Sequence, residues 1–206
     1  EAQMAKETNK WTFERWIAHV FDHPVRNPAW YFDSDAEVYS PGANPRQTVE
    51  YMRRLFESAV EYTRDYSDAQ VNQGFNYLIN PSASDHAFVL FDGRVPREIR
   101  TETFMAIYDV FEQVFAVRCS PHLSHNMFSK ADTAAANPLN GVCYMWWDVF
   151  PLSGQSGNPE WEALCSPGLR IMARTLSLDS LACQESALHG LGHWHVAFPA
   201  EIESII

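Results

Sequence analysis

Glu185, His189 and His193 follow one another at intervals of four in the segment LACQESALHGLGHWHVAFPAEIESII, which runs from Leu181 to Ile206, and His195 lies two residues further on. On a continuous helix, residues four apart share a face, so this spacing aligns a carboxylate with two imidazoles. Carboxylate and imidazole are the donors that zinc and iron take, and three converging protein ligands leave a coordination position free for chemistry. One expectation is therefore a zinc or iron centre drawn from Glu185, His189, His193 and His195. Gly190 and Gly192 weigh against a helix that runs straight through all of them. The pair also lacks the adjacent Glu of a His-Glu-x-x-His motif, the base of zinc proteases. The competing expectation is that these histidines cap helices, fill the core or line an interface.

The other candidate groups are scattered. His19 and His23 repeat the spacing of four, and His23 suits the negative end of a helix dipole. His122 and His125 stand three apart in a polar stretch. Joining any of these to the terminal cluster requires a fold that the spacing does not specify. Asp33, Asp35 and Glu37 alternate as in a calcium loop, but the Gly and distal Glu of that motif are missing, so they read as a solvated acidic loop. There is no Gly-x-Ser-x-Gly elbow, phosphate-binding glycine loop or cysteine in a protease-like context. For recognition of another protein the candidates are Trp146 and Trp147, followed by Asp148, and Trp194 between two histidines. Neighbouring indoles on a helix point about 100° apart, and Trp is frequent at binding hot spots.

The elements that must position these groups read as helices. Phe13, Trp16, Ile17, Val20 and Phe21 mark an amphipathic first helix ending before Pro24, and residues 25 to 43 read as an irregular aromatic loop. Five Asn-Pro pairs punctuate the chain, a combination suited to an N-cap followed by the first helical residue. After Asn44-Pro45 comes a long helix, then a second announced by the capping-box pattern Ser67-x-x-Gln70, the two making a hairpin over residues 45 to 80. Phe88 to Phe91 read as a packed loop. Pro96 opens a helix carrying Phe104, Ile107, Phe111 and Phe115, Pro138 opens a short Met- and Trp-rich one, and Asn158-Pro159 begins a region that Pro167-Gly168 should kink or divide. In the terminal segment, small Ala182, Ala187 and Gly190 allow close helix approach, while Leu181, Leu188 and Leu191 form an apolar stripe.

That terminal segment, an Ala-rich helix ending in a Leu-Gly turn before a short second helix, resembles a HEAT-like repeat of the phycobilisome-lyase type over residues 181–206. The resemblance implies an all-α fold in which helical hairpins stack as a short HEAT-like, α-solenoid array with irregular loops. A bilin-lyase role is implied by the family name alone, and no residue here marks a bilin site. HEAT-like iron hydroxylases carry His-Glu dipeptides, which this chain lacks.

The totals set the limits. At 206 residues, 46% hydrophobic and 14% aromatic, the chain is expected to be one all-α domain, residues 1–206, with a large aromatic core. Its start at Glu1 and its end inside an apolar pattern suggest possible truncation, which would make it a structural fragment of a longer repeat protein. The net charge of -11 repels phosphate backbones, which disfavours nucleic-acid binding and suits a partner with a basic surface. No apolar run approaches the roughly 20 residues needed to span a bilayer, so no membrane role and a cytoplasmic location are expected. Four widely spaced cysteines read as reduced, buried thiols. The leading functional expectation is a protein-binding helical-repeat module of adaptor or immunity type; the alternative is a metal-dependent enzyme using the terminal histidines.

Overall fold

The computed structural model describes residues 11–126, 137–152 and 157–206, and those residues are helical with no strand among them. In chain order the helices are α1 Phe13–Phe21, α2 Pro45–Glu57, α3 Ala59–Thr63, α4 Asp68–Ile79, α5 Arg97–Met105, α6 Ile107–Val110, α7 Ala116–Arg118, α8 Asn140–Val149, α9 Pro159–Leu176, α10 Leu181–Trp194 and α11 Pro199–Ile205. A π-turn, Phe111–Phe115, joins α6 to α7, and a 3-10 segment spans His86–Phe91, where the sequence reads as a packed loop. None of these helices is long and apolar enough to cross a membrane.

The starts follow from side-chain capping. Asn44 accepts from the Gln47 amide (3.3 Å), with Pro45 beginning α2. Ser67 and Gln70 form the reciprocal capping box of α4, and Asn158 accepts from Glu160 N (2.9 Å) at the start of α9. Two expectations about breaks fail. Pro167 and Gly168 do not divide α9, which runs 18 residues with both buried inside it. Gly190 and Gly192 do not break α10, which continues to Trp194.

Both helices stay whole because the glycines make room for indoles. A Cβ on Gly168 would lie 2.7 Å from Trp194 Cη2, and one on Gly190 would lie 2.7 Å from Trp147 Cβ and Cγ and from Met172 Sδ. Ala182, Ser186 and Gly190, at intervals of four, present a face with almost no side chain to α8. Across it Ser186 Oγ donates to the Cys143 carbonyl (2.5 Å) and the Cys143 thiol lies 3.6 Å from Ala182 O. The helix backbones therefore approach closely, and rings stack beside the seam. Phe75, Phe115, Trp146, Phe111, Trp147 and Trp194 form a continuous chain of ring contacts from α4 through the π-turn to α10. The expected apolar stripe is corrected by this arrangement: Leu191 is buried, whereas Leu181 and Leu188 are 41% and 46% exposed.

Substitution at the two glycines of α10 should have opposite effects. Gly190→Ala forces Trp147 or Met172 to shift, a cost of about 1–3 kcal/mol that exceeds the helix-propensity gain of about 1 kcal/mol. Nothing lies within 4 Å of a Cβ on Gly192, so Gly192→Ala keeps that gain. Urea unfolding should show a lower midpoint for the first variant and a higher one for the second.

Candidate functional site

The seam between α8 and α10 places three donors at its solvent edge. Tyr144 and Asp148 are four apart on the less buried side of α8, and His189 and His193 are four apart on α10. His189 Nε2 and His193 Nε2 are 2.7 Å apart, and His193 Nε2 is 3.3 Å from Asp148 Oδ1. One ligand atom from each of Asp148, His189 and His193 lies within 4.8 Å of the other two. Burial first, and then the neighbouring His193, hold the His189 imidazole below its ordinary pKa of 6.5, in the neutral form a metal requires. His189 packs on Tyr144, ring centroids 4.3 Å apart. Its buried Nδ1 has no hydrogen-bond partner among the described residues. The donors fit a transition-metal ion with one adjustment. Imidazole nitrogens sharing a tetrahedral zinc at about 2.1 Å stand about 3.4 Å apart, so the two rings need to separate slightly.

Of the four expected ligands, His189 and His193 come together, whereas Glu185 and His195 lie apart from them. Glu185 turns from His189 toward the loop after Cys119, where its carboxylate accepts the amides of Ser124 (2.7 Å) and His125 (3.1 Å) and meets His125 Nδ1 at 2.5 Å. His195 points the other way, 3.4 Å from Glu203 Oε1. The carboxylate that lies beside the two histidines is Asp148.

His125 and His189 open onto one groove of about 430 Å³, walled by Leu123, Tyr144, Leu181 and Leu188, with Glu185 at its base. This is why the two leucines on α10 are exposed: they face the groove rather than the core. The three indoles proposed for partner recognition are elsewhere. Trp146, Trp147 and Trp194 are 0%, 3% and 2% exposed, all inside the aromatic core, and offer no surface to a partner. In the acidic loop, Asp33 pairs with Arg26 (3.0 Å) and Glu37 with Arg15 (2.5 Å), so its carboxylates are drawn apart onto separate cations.

The N-terminal histidines form a different kind of cluster. Trp16 Nε1 donates to His86 Nε2 (3.1 Å), which fixes the His86 proton on Nδ1, 2.8 Å from Ser84 Oγ; Ser84 in turn donates to the Tyr77 carbonyl. His19 meets the Tyr77 hydroxyl at 3.1 Å, and His23 Nε2 donates to the His19 carbonyl (2.7 Å) while stacking on Trp30. Burial lowers His19 to about 4, assisted by His23, and lowers His86 to about 3. His19 and His86 are neutral core groups. No family model, curated protein or solved structure matches this chain.

The buried pair makes folding acid-sensitive. His19 and His86 bind fewer protons folded than unfolded, so their contribution is complete above about 6.5 and is lost as the pH falls toward 4 and 3. A shift of this size corresponds to about 3 kcal/mol for His19. The unfolding free energy should decline between pH 6.5 and 5, before most carboxylates titrate, and a His19→Gln variant should show a shallower decline over that interval.

Proposed function

We propose that this protein is a metal-dependent enzyme that holds one divalent zinc or iron ion on Asp148, His189 and His193. The reading rests above all on the convergence of a carboxylate and two imidazoles from facing helices on one point. Support comes from its setting: two histidines and one carboxylate are a donor set that leaves coordination positions open, and His189 is shared with a groove able to hold substrate. The partner-binding expectation rested on the acidic charge and on three indoles, and those indoles lie in the core. The HEAT-like ordering of the helices belongs to the same proposal, supported by the packing of α10 against both α8 and α9.

Elemental analysis of protein prepared without chelator, followed by cobalt titration watched by visible absorption, tests the assignment. About one ion per chain is expected, with affinity falling at least about tenfold for Asp148→Asn and binding lost when His189 and His193 are both changed to Ala. Glu185→Gln and His195→Ala should bind like the parent. Absence of binding after metal is offered, or equal binding by the double variant, overturns the reading.

A further inference from the structure

We infer that His125 is a general base for hydrolysis of small apolar esters in the groove between Leu123 and Leu188, with Glu185 as its positioning residue. The inference uses no metal; it shares with the metal reading the groove itself, including its Tyr144 and His189 walls.

A carboxylate accepts and cannot donate when ionised, so the 2.5 Å contact between Glu185 Oε1 and His125 Nδ1 places the imidazole proton on Nδ1. Nε2 then carries the lone pair and has no hydrogen-bond partner among the described residues, on a side chain that is 53% exposed at the groove. Glu185 is itself only 8% exposed on its side chain, and both its oxygens are engaged: Oε2 by Ser124 N, Oε1 by the amide and ring of His125. A buried carboxylate fixed in this way holds the ring in one tautomer and orientation and stabilises the imidazolium that forms during proton transfer. A clasp for the loop alone would need only the two amides; the third contact, to the ring, selects the basic nitrogen.

The surroundings indicate what the base acts on. The walls come from Leu123, Leu181, Leu188 and the Tyr144 ring, and the two α10 leucines are large apolar groups left at the surface on one rim. Among the described residues this lining holds no Lys or Arg to recruit a phosphate or carboxylate head. An uncharged substrate with a short hydrocarbon chain fits both facts. In the reaction, His125 Nε2 takes a proton from a water molecule as the water oxygen bonds to the ester carbonyl carbon. The tetrahedral adduct collapses, the bond from carbon to the alcohol oxygen breaks, and Nε2 returns the proton to the departing alkoxide. Ester and water become acid and alcohol, and the dyad ends as it began.

The probes are p-nitrophenyl acetate and p-nitrophenyl hexanoate with the full chain, assayed with and without EDTA. The parent should exceed His125→Gln in kcat/KM by about 100-fold, the lower end of general-base effects. Glu185→Gln should lower kcat by about tenfold with KM little changed, and imidazole added to His125→Gly should restore turnover. Leu188→Asp should raise KM for hexanoate more than for acetate. Circular dichroism of each variant separates loss of fold from loss of the base, and metal content of His125→Gln reports on the metal reading separately. A parent rate no greater than that of a folded His125→Gln, or failure of imidazole to rescue a folded His125→Gly, overturns the inference and leaves the contact as a loop clasp.

Discussion

The contact that the rest of the molecule depends on is the close seating of α10 on α8. Ala182, Ser186 and Gly190 present so little side chain that Trp147 can lie against the α10 backbone at Gly190, and Ser186 can reach the Cys143 carbonyl. A Cβ at Gly190 would hold the helices apart. With the seam closed, the residues flanking it are brought into register: Asp148 follows Trp147, and His189 precedes Gly190. The donor cluster is thus a by-product of tight packing, because the rigid positions of two backbones set the distance between side chains at their edge. Such positions are better defined than those on a loop.

Much of this was legible. The helical class, the limits of α1, the capping of α2 and α4, and the small-residue face of α10 all follow from local rules. The failures share one cause. Pro167-Gly168 and Gly190 read as breaks because propensity counts only the local chain, whereas here each glycine admits an indole from another helix, and burying that ring outweighs a propensity penalty of about 1 kcal/mol. Leu181 and Leu188 read as core for the same reason: spacing reveals that a face is apolar but not which neighbour it meets. At the site, the two histidines could be paired from their interval on one helix. Asp148 and His125 could not be added, since they arrive from α8 and from the loop after Cys119 through tertiary packing.

The histidines divide by environment. His19 and His86 are surrounded by aromatic rings and satisfied by Trp16, Tyr77 and Ser84, so their chemistry is spent on internal hydrogen bonds. His125 and His193 are half-exposed beside carboxylates, and His189 stands next to His193. The division tracks the two halves of the chain, with the aromatic polar network packing α1 against α4 and the reactive groups gathered around α8 and α10.

Glu185 carries a consequence for how this protein can change over generations. One carboxylate fastens the Ser124–His125 turn and also fixes the ring beside it, so a substitution there is screened for folding and for reactivity together. Variants that keep the turn with an amide-accepting side chain of similar length form the narrow corridor through which the position can drift. Leu181 and Leu188, on the outer rim of the same groove, face no such double screen, and sequence variation that retunes what the groove accepts can accumulate there without disturbing the helix beneath.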